Sequence, residues 1–566
     1  MSSLFDDVDQ KCNEMMEMAV RSTKLNIFLK CDLTIYVGFR EFLLEAEFAF
    51  YVDTPDTARE IHSRVFATLA RIVGGHGLSN VAEVQIELPQ TNSLEYYTQT
   101  LEMRPFILSI ASSSTIQWLH VTGMTIPDSV SREIETHHNN IVGPTDDVRL
   151  FWAAGANLAS PQSVLKKLHL DEIHFDNERL GTLCELLSST QCRLVKLNLD
   201  HCYFPTVGPL WSAMQVNQSI ENLWVVEPMC NGEPPTDFYG SQQFQSMLES
   251  NRTMLELSFS ADEEPECPNS FFTAYGAGLV SNTTLKILDL SGHYPFYGGK
   301  LNALFKGGLN RNTSVEKLGL CPNDLSEAQD VVSGIDRMAK NVSTKRSVDG
   351  SHRASTLKNL RFCFGSRANI VECVGLLLDC LIRNRACFAF EELHFNCIHG
   401  TFKDDTNLFV KMAAFIQAFP TTAVLTMDRY ERPTDDSNLT LLADALENNT
   451  MMTEFHLGGL KTSDDMSQRN KQSMWNKWSP ADNPNRTRIF GSVLRNKREL
   501  PVFLESSRRS LLPLVLTALL EPMESKVVQV VNLSHAFHLL QNLPELFSTG
   551  GGSGGGGGKK VESVEN

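Results

Sequence analysis

One short pattern of apolar residues recurs along this chain and constrains its fold more than any other feature. Its best copy is residues 193–204, whose apolar positions are Leu194, Leu197, Leu199, Cys202 and Phe204. Leu197 and Leu199 are two positions apart, so in a β-strand they point to the same side of the sheet. The pattern therefore predicts a short strand with one buried side, followed by a polar turn.

Copies of this pattern follow one another at regular distances. From Leu165 onward the first apolar position returns about every thirty residues, which leaves room for one strand and one helix per unit. These first positions are Val81, Ile116, Leu165, Leu194, Ile220, Met254, Leu285, Val315, Leu357, Phe390, Thr422 and Met452. Helical spacing of apolar residues lies between them at 57–72, 180–187, 244–249, 271–280, 301–309, 328–339, 370–382, 408–419 and 439–446. We therefore expect an α/β solenoid of about eleven or twelve units, a horseshoe with an inner parallel β-sheet, outer helices and helical end caps.

The boundaries of the first two predicted domains are set by where the repeats begin and end. Residues 1–56 lack the pattern and predict an N-terminal cap, with a short helix at 11–23 and a hairpin within 25–52. The alternative for this segment is a separate small domain. Residues 57–460 are the predicted solenoid, in which the polar run 343–355 is an exposed loop or docking segment.

Three further segments follow the last repeat. Residues 461–485 form a polar loop with Trp475 and Trp478, which either make a secondary binding site or pack against the last repeat. Residues 486–547 read as helices and predict a C-terminal cap. Residues 548–566 are rich in glycine and predict a disordered tail.

Charge and composition argue against several classes of protein. The net charge of -17 argues against a nucleic-acid binder or a binder of anionic membranes, which need a basic surface. A basic cluster within residues 486–509 is either an anion-binding patch or a solvated helix face. The 13 cysteines contain no C-x-x-C pair, so neither a zinc site nor a disulfide framework is expected. The acidic N-terminus and short apolar runs predict a protein of the cytoplasm or the nucleus, without a membrane span.

Several N-x-S/T triplets occur, among them those that begin at Asn217, Asn251, Asn282, Asn312 and Asn485. Glycosylation would need a secretory route, for which the sequence gives no signal. Most of these asparagines stand just after a predicted helix and before a strand. We therefore interpret them as helix caps in the left-handed conformation that asparagine tolerates.

The position between the two core residues of each strand is the candidate binding site. A solenoid displays these residues as a column on its concave face, where an extended protein partner can contact them. The predicted column is His169, Asn198, Trp224, Ser258, Asp289, Gly319, Arg361, His394, Thr426 and His456.

Sequence motifs of enzymes are not found. The chain has no phosphate-binding loop, nucleophile elbow, H-E-x-x-H helix or dinucleotide fingerprint, so no catalytic residue, cofactor or metal is expected. Cys397 and His399 are close in sequence, but Cys397 occupies a position that the repeat buries. His394 and His456, beside Glu392 or Asp428, are expected to recognise a partner and not to react.

The strand segments at 165–170, 284–292 and 315–325 resemble the ribonuclease-inhibitor-like subfamily of leucine-rich repeats over about residues 80–460. The chain is also similar to uncharacterised leucine-rich-repeat proteins of diatoms and other algae, through the helical segments 495–504, 511–516 and 539–547. Departures from the repeat consensus are Met254, Thr422, Met427 and Phe455, which replace leucine.

The resemblance implies protein recognition through the concave face. We therefore expect a monomeric, non-enzymatic scaffold that binds a protein partner of unknown identity. One alternative is a substrate receptor of a ubiquitin ligase, with residues 1–56 docking to the ligase, although no F-box precedes the array. The other alternative is a Ran-type GTPase-activating protein, in which the array orients the GTPase's own catalytic groups.

Overall fold

A computed structural model describes the chain over residues 2–29, 35–39, 48–50, 55–74, 80–87, 104–122, 154–155, 157–160, 163–230, 233–261, 267–291, 299–344, 355–364, 369–397, 405–427, 436–449, 451–457, 485, 488–489 and 492–493. The chain divides into two compact units. Unit 1 comprises Met1–Lys403 with Met427–Arg429, and unit 2 comprises Asp404–Thr426 with Tyr430–Asn566.

Strands and helices alternate along unit 1. Its helices are α1 (Ser2–Arg21), α2 (Pro55–Val73), α3 (Arg104–Ser112), α4 (Asn177–Ser188), α5 (Gly208–Val216), α6 (Ser241–Ser250), α7 (Asn269–Ser281), α8 (Lys300–Gly307), α9 (Leu325–Thr344) and α10 (Ile370–Arg383). Its strands are β1 (Lys24–Leu29), β2 (Ile35–Phe39), β3 (Phe48–Phe50), β4 (Glu83–Glu87), β5 (Trp118–Thr122), β6 (Lys167–Asp171), β7 (Lys196–Asp200), β8 (Tyr203–Phe204), β9 (Asn222–Val226), β10 (Met229–Cys230), β11 (Glu256–Ser260), β12 (Ile287–Leu290), β13 (Lys317–Leu320), β14 (Asn359–Phe364) and β15 (Glu392–Cys397).

The strands of unit 1 form one long, mostly parallel sheet. Its order is β15-β14-β13-β12-β11-β9-β7-β6-β5-β4-β1-β2-β3, so from β4 onward most strands lie beside the next in the chain. Strands β8 and β10 form a separate parallel pair. Each predicted inter-strand helix coincides with an observed one, whereas α3 and α5 were not among those predicted. The α/β class with a repeated arrangement is confirmed.

The N-terminal segment continues this sheet. Helix α1 contains most of the predicted helix at 11–23. Strands β1 and β2 are antiparallel, which confirms the hairpin expected within residues 25–52. Strand β1 also pairs in parallel with β4. Edge pairing of this kind covers the exposed backbone groups of the first repeat strand.

Unit 2 contains α11 (Thr406–Ala418), most of β16 (Val424–Met427), α12 (Asp436–Asn448) and β17 (Glu454–Leu457). Strands β16 and β17 are neighbours, and the N–H of Thr453 donates to the carbonyl of Ala423 at 2.8 Å. Among the residues that the structure describes in either unit, no helix combines the length and the apolar character needed to cross a bilayer.

Helices cover one side of the sheet in unit 1. The ring of Phe259 on β11 lies 5.2 Å from Phe271 on α7, 6.1 Å from Phe244 on α6 and 6.3 Å from Trp211 on α5, measured between centroids. All four rings are buried. Burying a side chain of this size contributes about 1.5–3 kcal/mol. The core therefore lies between the helices and one face of the sheet.

The predicted core positions are buried. Leu194, Leu197, Leu199 and Cys202 are fully buried, and the first apolar positions of the other copies, from Val81 to Met452, are buried as well. Even Thr422, which replaces a consensus leucine, has no exposed surface. These predictions from the repeat pattern are confirmed.

A buried asparagine closes several of the helices. Asn282, which follows α7, donates its Nδ2 to the carbonyl of Leu248 in the preceding repeat at 2.8 Å. Its Oδ1 accepts the N–H groups of Thr284 at 3.1 Å and Leu285 at 2.8 Å. One side chain thus joins two successive helix ends and the turn before the next strand. The same bonding, to the previous helix end and to the following turn, is made by Asn217, Asn251, Asn312 and Asn449.

The predicted conformation of these asparagines was wrong. They do stand at helix ends before strands, as expected. Their backbone is extended, however, with φ of -63° at Asn217, -65° at Asn251 and -75° at Asn282. Asparagine is used here for its amide, which donates and accepts at once. A left-handed cap would satisfy carbonyls through the backbone alone.

We expect Asn282→Ala to lower the free energy of unfolding by about 2–4 kcal/mol, because it leaves a buried carbonyl and two turn N–H groups without their partner. Asn177→Ala is the matched control, since Asn177 is exposed in the first turn of α4. The measurement is urea unfolding followed by circular dichroism. Equal losses in the two variants would contradict the structural role of the buried amide.

Helices α7 and α8 approach each other through glycines. A Cβ added to Gly276 would lie 2.7 Å from the backbone nitrogen of Gly308 and would also clash with the carbonyl of Leu304. A Cβ added to Gly307 would lie 2.6 Å from the carbonyl of Thr273. By contrast, Gly181 on α4 has open space at its Cβ position.

We therefore expect opposite effects from two glycine substitutions. Gly276→Ala should destabilise unit 1, because backbone atoms of α8 must move. Gly181→Ala should raise the free energy of unfolding by about 0.5–1 kcal/mol, because alanine restricts the unfolded chain and fits the helix. Thermal unfolding of both variants checks this, and a Gly276→Ala variant as stable as the native chain would refute the close approach.

Candidate functional site

Strand pairing aligns the predicted column into a continuous row in unit 1. His169 pairs with Asn198, Asn198 with Trp224, and the register continues along neighbouring strands to His394. These positions alternate with core residues such as Leu168 and Leu170, so their side chains lie on the face away from the helices. We call this set the central row: Asn26, Gln85, His120, His169, Asn198, Trp224, Ser258, Asp289, Gly319, Arg361 and His394.

Three members of the central row were missed from the sequence. Gln85 and His120 follow Val81 and Ile116 by the same number of residues that separates Leu165 from His169. Applying that offset to the first two copies would have found both. Asn26 lies on β1, before the first copy of the pattern, and no repeat signal marks it.

The two predicted column residues of unit 2 are buried. Thr426 on β16 has 9% of its surface exposed, and His456 on β17 has 8%. His456 Nε2 lies 3.5 Å from Glu454 Oε2 on its own strand. Both side chains therefore present little surface to a partner.

Lysine side chains at the amino ends of three strands contact two tryptophan rings. Trp118 lies between Lys24 and Lys167, whose Nζ atoms are 4.7 Å and 5.6 Å from its ring centroid. Lys196 Nζ lies 3.8 Å from the ring centroid of Trp224. These are cation–π distances, and such contacts hold a lysine over an aromatic face. This part of the sheet, beside the central row, therefore carries positive charge next to flat apolar surfaces.

A carboxylate fixes the orientation of Trp224. Its Nε1 donates to Glu256 Oε1 at 2.9 Å, while Asn222 Nδ2 donates to Glu256 Oε2 at 2.8 Å. The indole is half-buried between Lys196 and this hydrogen bond. A partner therefore meets an aromatic ring that is already held in place, which limits the loss of side-chain freedom on binding.

Two histidines stack in the central row. The rings of His120 and His169 are 3.9 Å apart and within 5° of parallel. Burial, reinforced by the neighbouring His169, lowers the pKa of His120 to about 4. Burial also lowers the pKa of His169. The pair therefore presents a neutral, flat surface at pH 7.

Carboxylates surround one imidazole at the carboxyl ends of the strands. His201 Nδ1 lies 3.0 Å from Asp200 Oδ1 and 3.6 Å from Asp171 Oδ1, and its Nε2 lies 2.9 Å from Glu227 Oε2. The carboxylates of Asp171, Asp200 and Glu227 together raise the pKa of His201 to about 12. We call these four residues the His201 cluster.

A repeated backbone turn builds this cluster. Glu172, His201 and Glu227 each follow the last residue of a strand and have φ of 54°, 47° and 48°. Non-glycine residues rarely adopt this left-handed region. Each donates its N–H to the next repeat, as Glu172 does to the carbonyl of Asp200 at 2.9 Å. The turn therefore adds a second line of side chains beside Asp171 and Asp200, and the sequence pattern gave no sign of it.

From Asp289 to His394 the central row is polar, and one of its positions is a glycine without a side chain. Gly319 lies between Asp289 and Arg361 in the register. Arg361 Nη1 lies 3.9 Å from Asp289 Oδ2, across the glycine. A Cβ at Gly319 would clash with the Asp289 carboxylate, so this ion pair needs a residue without a side chain. Farther along, His394 Nε2 lies 3.5 Å from Glu392 Oε2.

Several predicted features lie outside the residues that the structure describes. These are Trp475, Trp478, His399, Asp428 and most of the basic cluster, and their roles stay predictions. Arg488, a described member of that cluster, binds Asp444 at 2.6 Å and Glu447 at 2.7 Å on α12. These contacts raise its pKa. The charge of Arg488 is thus paired within unit 2.

The depressed pKa of His120 predicts a loss of stability in mild acid. Between pH 6.5 and about 4 the unfolded chain binds a proton at this residue that the folded chain does not, so stability falls as pH decreases through this window. We expect His120 to contribute about 1–2 kcal/mol of loss between pH 7 and pH 5. Urea unfolding at both values should show a smaller loss for His120→Gln than for the native chain.

His394→Gln is the control for the His120 experiment, because it removes an imidazole from the same row. Between pH 7 and pH 5, His394→Gln should show the larger part of the loss in free energy of unfolding that the native chain shows. If the native chain and His120→Gln lose the same stability, His120 is protonated in the folded protein at pH 5.

Comparisons with known proteins give the chain no family name. No family model matches the sequence, and no curated protein matches it.

Proposed function

We propose that the chain is a leucine-rich-repeat protein of the ribonuclease-inhibitor-like kind, and that its central row binds an extended surface of a protein partner. The observation that carries this proposal is the row itself. Its positions repeat from strand to strand in register, and they lie on the face that the helices leave uncovered. We further propose that the sheet curves, with this row on the concave side.

The size of the row fits a protein partner. Neighbouring strands are about 4.8 Å apart, so the central row extends over about 50 Å. That distance is longer than the edge of a standard protein interface, about 28 Å for about 800 Å² per partner, and it far exceeds a small-molecule pocket. The side chains are also varied, with aromatic, cationic, anionic and amide groups in one line. Such variety suits recognition of one particular surface.

The charges orient the partner. Lys167 and Lys196 begin β6 and β7, while Asp171 and Asp200 end the same strands. A partner that lies across these strands therefore meets positive charge on one side and negative charge on the other. We propose that its surface carries acidic groups opposite the lysines and basic groups opposite the aspartates.

Trp224 and Arg361 are the proposed anchors. Tryptophan and arginine are the residues that most often dominate interface energies. Trp224 is held by Glu256 and Lys196, and Arg361 has 49% of its side chain exposed. Neither side chain belongs to the core between sheet and helices. Their removal therefore affects recognition far more than folding.

We expect Trp224→Ala and Arg361→Ala each to weaken partner binding at least tenfold, while the midpoint of thermal unfolding changes little. The full chain serves as bait in affinity purification, and the recovered protein is then titrated against each purified variant. Arg383→Ala is the matched control, because Arg383 is 57% exposed on α10, on the helix side. It should bind like the native chain.

Two outcomes would contradict recognition through the central row. If both row variants bind like the native chain while Arg383→Ala loses the partner, recognition uses the helix side. If none of the three variants changes the affinity, the partner binds a region of the chain away from the central row.

A further inference from the structure

The His201 cluster has the spacing of a cation site. Two ligand atoms that share a first-row divalent metal, each about 2.1 Å from it, are about 3.0 Å apart at a right angle and about 3.4 Å apart at the tetrahedral angle. His201 Nδ1 lies 3.0 Å from Asp200 Oδ1 and 3.6 Å from Asp171 Oδ1. One ligand atom from each of the three residues lies within 4.8 Å of the others.

A buried carboxylate behind the ring points to the same conclusion independently. Glu227 Oε2 lies 2.9 Å from His201 Nε2, and the Glu227 side chain is 5% exposed. Histidines that ligate metals commonly donate their second ring N–H to a carboxylate, which fixes the ring. Held by Glu227 in this way, His201 directs its Nδ1 toward Asp171 and Asp200.

Two oxygens of the cluster are buried without a hydrogen-bond partner. Glu227 Oε1 is one, although the group is a carboxylate and can accept several bonds. Asp200 Oδ1 is the other, because its 3.0 Å contact with His201 does not have hydrogen-bond geometry. A buried carboxylate oxygen in this condition costs free energy, and a cation bound between Asp171, Asp200 and His201 would offset that cost for Asp200 Oδ1.

The surroundings carry an excess of negative charge. Glu87, at the end of β4, has its pKa raised by burial and then by repulsion from Asp171 and Glu172. The cluster is nevertheless open to solvent, since the side chains of Asp171, Asp200 and His201 are 24%, 32% and 42% exposed. An ion can therefore enter, and water can complete its coordination.

We propose that Asp171, Asp200 and His201 bind one divalent first-row transition metal ion, with Glu227 as the residue that positions the His201 ring. Two carboxylates and one imidazole form a mixed oxygen and nitrogen set of the kind that Mn²⁺, Fe²⁺ and Zn²⁺ accept. The ion takes the place of the Nδ1 proton between the ring and the two aspartates. It lies beside the central row, and its binding does not depend on the proposed protein partner.

Mn²⁺ is the probe for the experiment, because the 13 cysteines of the chain would capture Zn²⁺. Titration of the full chain with Mn²⁺, followed by electron paramagnetic resonance of the free ion, should give one site per chain. His201→Asn should weaken this site at least tenfold. Asparagine is chosen because it tolerates the left-handed backbone at this position. Asp200→Asn should have a similar effect.

Two further variants separate a metal site from general attraction to carboxylates. Glu227→Gln keeps the three ligands but loses the charge that orients the ring, and it should weaken binding about tenfold or more. His394→Asn removes another histidine that contacts a carboxylate, Glu392, and should leave binding unchanged. Circular dichroism without metal checks that each variant is folded.

A second measurement uses the native chain alone, so it does not require any variant to fold. Bound Fe²⁺ with ascorbate and oxygen oxidises the residues nearest the ion, and mass spectrometry locates them. We expect oxidation at His201 before His394. If Mn²⁺ binds the His201→Asn variant as tightly as the native chain, or if oxidation spreads equally over both histidines, His201 serves only as a cation among carboxylates and the proposal is wrong.

Discussion

The buried asparagine at the helix ends is the interaction on which the repeated arrangement depends. A helix that ends against a neighbour leaves carbonyl groups without partners, and the turn after it leaves N–H groups. The amide of Asn282 bonds both, to the carbonyl of Leu248 and to the turn before β12. The same length of chain separates Asn217 from Trp224, Asn251 from Ser258, and Asn282 from Asp289. Because the amide fixes where each strand begins, it also fixes which residue enters the central row.

Stacking in register turns single residues into neighbours of their counterparts. His120 meets His169, and Lys196 meets Trp224, although each pair is far apart in sequence. The chemistry of the row is therefore decided between repeats, by what two successive strands carry at one offset. The His201 cluster is the clearest case, since its members come from the ends of β6, β7 and β9.

The sequence predicts what depends on periodicity and misses what depends on turn conformation. The buried positions from Val81 to Met452 and the members of the central row from His169 onward follow from apolar spacing alone. The cluster could not be found this way, because its geometry requires the left-handed backbone of Glu172, His201 and Glu227. The burial of Thr426 and His456 was also not predicted, because the repeat spacing places both in the exposed column.

Parallel pairing explains why the surface is polarised although the chain as a whole is acidic. In a parallel sheet, residues at the same offset line up on the same edge, whereas antiparallel pairing would alternate them. Strands β6 and β7 both begin with lysine and end with aspartate, so positive charge collects at one edge and negative charge at the other. The stacked, neutral pair of His120 and His169 lies between these edges. Opposite charges are thereby kept apart along each strand, and both remain available to ligands that approach from solvent.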